Sequence, residues 1–413
     1  MRHAVTLLAI IMLAFTFTYR ASAESALSLE QAVNEALEHN ASLRSTKAEV
    51  SAAKANEHGA KALANPEITV TPGITGSAGS DEVLSVVQPL EINGQRRIRS
   101  RIAQAETRAA EAGVRLAERD LTRDVKLAYW DTAQRQSIIE LSKENVKLAE
   151  SLHQSAVRQR DVGTAPGSQV IKTQVELTLA HRELSQAEAE LLQACALLNT
   201  LLGRSPDVPI AISDKPLFES LTIDESVLPS PAETNRPEYL QSQAALEVLK
   251  AGISAAEARK RPDIALQLRQ ASFGGESGLG VAITLPLLDW GSTRAERQRA
   301  KAVVDAQEQR IESLKNSIAL DISLALRDAK KSAALILQYR EGVLSQADQL
   351  FEMAQKGFAA GATGYLDVLE AQRTLRNTKA DYYTELSNYQ KALAQLEWAL
   401  GVDIYAPGSK EGK

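Results

Sequence analysis

Groups able to do chemistry are few in this chain and far apart. Its five histidines, His3, His39, His58, His153 and His181, form no local cluster, and the one cysteine, Cys195, has no second thiol for a disulfide or a zinc site. No His-Glu-x-x-His, Gly-x-Ser-x-Gly or Gly-Lys-Ser/Thr run is present. These features speak against an enzyme, and neither a cofactor nor a metal is expected. What remains is charge placed in pairs and clusters. Asp367 and Glu370 lie three apart, on one face of any helix that holds them. Carboxylates gathered around a narrow aqueous path favour cations. Two carboxylates near a helix N-terminus also sit well against the helix dipole with no further role. The basic counterpart is Arg96, Arg97, Arg99 and Arg101, echoed by Arg294, Arg297, Arg299 and Lys301, each group opening a long helical stretch. Cations there oppose the dipole, so helix stability does not explain them. They suit lipid phosphates if the strands beside them enter a membrane; a solvated face or ion pairs between subunits account for them equally. One partner class is excluded by composition. With 47 Lys+Arg against 52 Asp+Glu, a net charge of −5 and a pI near 5.8, the chain lacks the basic footprint of a nucleic-acid binder.

The elements that must hold these residues come in two copies, because landmarks recur at a nearly constant offset. Asn40 matches Asn235 at 195, and Asn65-Pro66-Glu67-Ile68 matches Arg261-Pro262-Asp263-Ile264 at 196. Gln88-Pro89-Leu90 matches Leu285-Pro286-Leu287 at 197, and Gly163, Val170, Gln174, Leu198 and Gly203 match Gly361, Val368, Gln372, Leu396 and Gly401 at 198. Asp367 and Glu370 thereby correspond to Gln169 and Lys172, so only the second copy is acidic there. Residues 24–203 form the first repeat: a helix over about Leu29 to Leu63, a β-hairpin over 66–90, a long helix over 94–160 and a helix over 168–202. A Pro-rich linker occupies 204–232. Residues 233–401 repeat the order, with a hairpin over 262–288, a long helix over 291–358 and a helix over 365–400, before a tail over 402–413. Ahead of all this, Met1-Arg2-His3 is basic, Ala4 to Phe17 is apolar and Ala21-Ser22-Ala23 offers a cleavage site. Residues 1–23 therefore read as a signal peptide, since an apolar run of about 14 is short of the roughly 20 that a spanning helix needs.

Periodicity and length set the architecture. Leu386, Tyr389, Leu393, Leu396 and Leu400 follow the 3,4 spacing of a coiled-coil seam. The matching positions in the first copy are Glu188, Leu191, Cys195, Leu198 and Leu202, which makes Cys195 a small core residue rather than a reactive thiol. Ile318, Ile322, Ala325 and Ala329 form a similar stripe. The first long helix would rise roughly 100 Å at 1.5 Å per residue, and two medium helices end to end match it. The hairpin strands alternate, Ile264, Leu266 and Leu268 against Ala265, Gln267 and Arg269. Pro66, Pro89, Pro262 and Pro286 flank them, and the run Gly274 to Gly278 suits a hairpin turn better than a phosphate loop. Four strands cannot close a barrel in lipid, which tolerates no open edge, but two or three chains together can. The residues alone leave a second reading open, hairpins capping a soluble coiled-coil rod.

On two motifs the chain resembles a known family. The turn Gly361-Ala362-Thr363-Gly364-Tyr365-Leu366-Asp367-Val368-Leu369-Glu370-Ala371-Gln372 and the run Gln88-Pro89-Leu90-Glu91-Ile92-Asn93-Gly94-Gln95-Arg96-Arg97 are similar to those of the TolC-like outer membrane factors. The second run resembles the branch serving heavy-metal exporters, which usually carries Gly-Gly-Lys-Arg where this chain has Asn93-Gly94-Gln95-Arg96. The resemblance implies a mainly α protomer, an α-barrel built from two repeats with two β-hairpins contributing to a trimeric twelve-stranded transmembrane β-barrel. It implies an outer membrane location reaching into the periplasm, and passive export of metal ions or drugs as a homotrimer. It also implies two partners, a periplasmic adaptor and an inner-membrane pump of the RND type. The helix tips Gly163, Thr164, Ala165 and Gly167, with Gly361, Ala362, Thr363 and Gly364, would then meet the adaptor. Asp367 and Glu370 would ring the pore entrance, and the basic cluster would lie beside outer membrane lipid. The competing expectation is a periplasmic coiled-coil adaptor or scaffold.

Overall fold

The computed structural model describes residues 26–70, 84–219, 236–270, 277–285, 289–360 and 362–401. The signal peptide, the linker beyond residue 219, the glycine turn up to residue 276, Pro286, Gly361 and the tail over 402–413 lie outside the described residues. In chain order the elements are α1 (Leu29–His39), α2 (Ala41–Ala60), β1 (Glu67–Val70), β2 (Leu84–Leu90), α3 (Gln95–Asp161) and α4 (Gly167–Leu202). The second repeat gives α5 (Pro237–Ala258), β3 (Asp263–Gln270), β4 (Ser277–Thr284), α6 (Ser292–Gln338), a π-helical segment over Tyr339–Val343, α7 (Leu344–Ala359) and α8 (Tyr365–Leu400). The chain is thus mainly α with one small antiparallel sheet.

Two helices differ from the expectation. The single helix over 29–63 is α1 and α2, because Asn40 leaves the helical region (φ −62°, ψ 124°) and its side chain accepts the Leu43 N–H at 3.1 Å. Asparagine competes for backbone donors in this way wherever a chain can restart a helix. The second long helix is not uniformly α: the five-residue π segment interrupts it. The reason is one surplus residue. Gly94 and Gly291, both left-handed (φ 81° and 89°), open the two long helices 197 residues apart, whereas Asp161 and Ala359 close them 198 apart. Burial locates the surplus. Leu121, Val125, Ala128, Thr132 and Ile139 are buried with their partners at 197, Ile318, Ile322, Ala325, Ala329 and Ile336. Beyond the π segment Ala149 and Ala156 are buried with Ala347 and Ala354, at 198. A π turn takes up one residue without rotating the downstream helix onto another face.

The sheet runs β1-β2-β3-β4, antiparallel throughout, so β2 and β3 join the two repeats and β1 and β4 are its edges. Register places Ile68, Val70, Leu84, Val86, Leu90, Ile264, Leu266, Leu268, Leu279, Val281 and Ile283 on one face. That face also holds Gln88, Gln270 and Ser277, and the other carries Glu67, Thr69, Ser85, Val87, Pro89, Asp263, Gln267, Arg269, Thr284 and small residues. Many of the apolar side chains are exposed, Leu279 at 79% and Ile68 at 66%. Pro89 lies inside β2, opposite Ala265, rather than flanking it.

The chain packs as two compact units, and each draws on both repeats. One takes residues up to Ala36, Val125–Leu217 and Tyr339–Ser387. In it Val146, Ala149 and Ala180 form a core with Leu177 and Leu184, and Cys195 is buried, its thiol pushed up by burial. Of the seam inferred for α4, Leu198 and Leu202 are fully buried, Leu191 is half-buried and Glu188 is exposed, because a carboxylate is not buried without a partner. Residues after α4 are tied to the chain start: Leu27 bridges Ile212, and Asp214 accepts the Leu29 N–H at 2.8 Å. The Tyr129 hydroxyl lies 2.9 Å from both the Asp214 carboxylate and the Leu27 carbonyl. Burial alone would raise the Asp214 pKa, but the Leu29 N–H and the Tyr129 and Ser213 hydroxyls outweigh it and hold the carboxyl below its usual range.

The other unit takes Leu37–Asp124, Phe218–Gln338 and the chain from Asn388. Ile318, Ile322, Ala325, Leu396, Ala399 and Leu400 form its core, with Trp398 against it. Three guanidinium groups surround that indole, Arg236 at 4.7 Å, Arg123 at 4.8 Å and Arg119 at 5.4 Å from the ring centre. Arg236 is 2% exposed and is held by Glu238 at 2.9 Å and Asp321 at 3.4 Å.

Candidate functional site

The first helix tip follows from one left-handed residue. Gly163 (φ 76°) ends α3, its N–H donates to the Arg160 carbonyl at 2.9 Å, and the Thr164 N–H and hydroxyl both reach the Gln159 carbonyl. Pro166 is then the N-cap of α4 with extended dihedrals. Gly163, Thr164 and Gly167 are exposed and Ala165 half-buried, with Val162 at 73% exposure beside them. At the second tip Ala362 and Thr363 donate backbone N–H groups to the Gly357 carbonyl, and Ala362 and Gly364 are exposed. Gly357, which sequence reasoning missed, is required by close approach: a Cβ there would meet the Thr363 side chain at 2.8 Å.

Asp367 and Glu370 are both exposed on the first turns of α8. Asp367 accepts the Gly364 N–H at 2.8 Å, which satisfies one of the donors that a helix start leaves open. Glu370 makes no such cap. Further along, α8 is fastened to the first repeat within the same unit. Gln372 donates to Asn145 Oδ1 at 2.6 Å, Arg376 pairs with Glu183 at 2.6 Å, and Arg373 pairs with Glu176. These groups, with Tyr365, line a cavity of about 260 Å³. Burial, reinforced by Glu176, pushes the Tyr365 hydroxyl up to about 12, so it stays a neutral donor. The buried Gln372 Oε1 has no partner among the described residues and is the group that water in this cavity would bond.

The basic cluster is less uniform than its sequence. Arg99 is an internal strut, bonded to Glu91 and to the carbonyls of Ala60 at 3.1 Å and Ala62 at 2.8 Å. Arg297 pairs with Glu257 at 3.0 Å. Arg96, Arg97, Arg101 and Arg294 are exposed with no ion-pair partner among the described residues. Beside them Asn93 and Gln95, where the resemblance departs from the usual run, form a latch between repeats. Asn93 Nδ2 donates to the Pro262 carbonyl at 2.5 Å, Gln95 Nε2 to Asp263 at 2.8 Å, and Arg261 donates to the Asn93 carbonyl at 3.4 Å. Among the described residues no three metal-ligating side chains converge, and no helix is long and apolar enough to cross a membrane.

The sequence profile of the outer membrane efflux proteins matches residues 32–204 and 228–402. The chain belongs to that family. Proteins similar to it include the cobalt-zinc-cadmium resistance protein CzcC of Cupriavidus metallidurans, 27% identical over 91% of this chain and 90% of its own. The pyoverdine export outer membrane protein OpmQ of Pseudomonas aeruginosa is 25% identical over 77% of this chain and 68% of its own. The fold is that of the open-state MtrE outer membrane channel of Neisseria gonorrhoeae, with a TM-score of 0.76 at 21% identity over 91% of this chain and 89% of that one. The protein is therefore an outer membrane efflux protein, and the adaptor alternative is set aside.

Proposed function

We infer that three copies of this efflux protein close a twelve-stranded barrel in the outer membrane and form a passive exit duct. One observation carries the reading: the sheet has a mainly apolar, exposed face and two edges, β1 and β4, that are unpaired among the described residues. Such a sheet suits lipid only when further copies pair its edges. The exposed arginines Arg96, Arg97, Arg101 and Arg294 then meet lipid phosphates. The tips at Gly163–Gly167 and at Ala362, Thr363 and Gly364, with Gly361 next before them in sequence, receive the hairpins of a periplasmic adaptor, which joins an inner-membrane pump of the RND type. Residues 1–23 are removed on export, the two repeats are 24–203 and 233–401, and the likeness to CzcC favours metal cations as cargo. Glu370, which caps nothing, and Asp367 contribute six carboxylates to the entrance ring.

The experiment is fractionation followed by planar-bilayer recording. A detergent-resistant trimer in the outer membrane that conducts ions supports the reading, and a water-soluble monomer that ignores bilayers overturns it. Glu370→Gln isolates the ring, since it leaves the Asp367 cap intact: block by multivalent cations weakens if the ring exists and is unchanged if it does not. Loss of cobalt, zinc and cadmium resistance on gene deletion tests the cargo, and full resistance in the deletion strain would remove metals from it.

A further inference from the structure

The two hairpins of the sheet obey one repeat rule at the level of single residues. Glu67 lies opposite Val87 in the first, and Asp263 opposite Thr284 in the second, which is the same pair displaced by 196 on the first strand and 197 on the second. The inter-repeat ladder, β2 with β3, sets Gln88 opposite Leu266. Applying the same displacements to that pair gives Leu285, next after β4, and Val70 of β1, which lie along the two unpaired edges.

The junction beside the ladder transforms in the same way. Inside the chain Asn93 reaches the Pro262 carbonyl, Gln95 reaches Asp263, and Arg261 reaches the Asn93 carbonyl. Their counterparts are Trp290 against Pro66, Ser292 against Glu67, and Asn65 against the Trp290 carbonyl. Every one of these counterparts is exposed. Trp290 is 91% exposed and holds φ +47°, a left-handed value that a bulky residue adopts only where its surroundings impose it. Leu63, at 68% exposure, extends the apolar surface beside Asn65, Pro66 and Glu67. An indole and a proline ring are complementary, flat apolar surface meeting flat apolar surface, and Ser292 supplies a hydroxyl donor for the Glu67 carboxylate.

We propose that a second copy of this chain docks by the repeat rule itself: the edge that continues β4 to Leu285 meets the end of the neighbour's β1 with Leu285 opposite Val70, and Trp290 packs on the neighbour's Pro66. The seam between copies then has the geometry of the seam inside the chain, with an aromatic contact in place of its amide latch. This rests on the ring reading and adds to it the register and the anchor.

The test is cysteine cross-linking of the full-length protein in membranes, in a Cys195→Ser background. Directly opposed strand residues lie within disulfide reach, while a residue two further along on the same face lies about 7–8 Å off and outside it. Val70→Cys with Leu285→Cys gives covalent dimers and trimers on oxidation, at least tenfold more than Val70→Cys with Ile283→Cys. Trp290→Gly relieves the backbone and removes the indole, so it lowers the temperature at which the trimer dissociates in detergent, and Trp290→Phe restores most of it. A trimer that links through 283, or through neither, or that Trp290→Gly leaves as heat-resistant as before, overturns the proposal and leaves the ring standing. Monomers under all conditions overturn the ring and the proposal together.

Discussion

Deleting Gly342 should cost the protein almost nothing, although it lies inside a long helical stretch of this efflux protein. The π segment over Tyr339–Val343 holds the one residue by which the second long helix exceeds the first. Removing it lets α6 run into α7 as continuous α-helix with every buried position kept, and it removes a glycine, which disfavours helix by about 1 kcal/mol. The control is deletion of Asp328, an exposed residue fourteen positions earlier. That deletion turns the stretch up to the π segment by about 100°. Ala329, Ser332 and Ile336, at 4%, 6% and 0% exposure, leave the core. Loss of a fully buried isoleucine side chain alone costs about 2–5 kcal/mol, and exposing the alanine adds to it. The gap between the two deletions is therefore about 4 kcal/mol or more. Denaturant unfolding followed by circular dichroism reads it for the purified protein. If the Gly342 deletion falls as far as the Asp328 deletion, the π segment is not where the surplus residue is absorbed and the account is wrong.

Three further outcomes rest on single contacts. Asp214→Asn should lose about 1.5–3 kcal/mol, since the carboxylate accepts the Leu29 N–H and two hydroxyls. Its depressed pKa gives stability that is present above the ordinary carboxylate value and lost as pH falls through the folded one, so an acid titration of wild type and variant should converge below about pH 4. Gly357→Ala should destabilise despite the better helix propensity of alanine, because the new methyl group meets Thr363, whose hydroxyl is held by the Ala354 carbonyl at 3.2 Å. Adding Thr363→Ala should turn that loss into a gain of up to about 1 kcal/mol, and thermal melts of both variants decide it. Trp398→Ala should cost about 3–5 kcal/mol by unfolding, with Trp398→Phe recovering most of the packing but not the indole N–H bond to Asp120 at 2.7 Å.

What was legible in the sequence was whatever depends on neighbours along the chain. The seam Leu386 to Leu400 is buried throughout, the long helix closes at Asp161 before Gly163, and the strands keep their alternation, because periodicity and left-handed glycines act locally. The break at Asn40 was hidden by a helical stripe that runs on through α1 and α2. The surplus residue was visible as an offset drifting from 197 to 198, but only burial shows where the drift occurs. Arg99 illustrates the remaining limit. In the sequence it is one of four like charges; in the fold it alone points back onto the end of α2, which no spacing rule reports.

The same limit explains why the latch residues look unremarkable as letters. A chain that supplies two segments of a ring faces two kinds of seam. The seam inside the chain forms at the high effective concentration of linked segments, so a few amide hydrogen bonds, Asn93 to Pro262 and Gln95 to Asp263, suffice to set it. The seam between chains must also offset the loss of translational and rotational freedom on association, which hydrogen bonds exchanged with water do poorly. A large apolar ring does it better. On that argument the two repeats should diverge most where the intrachain junction and the free edge correspond, and it is there that one repeat has Asn93 and the other has Trp290.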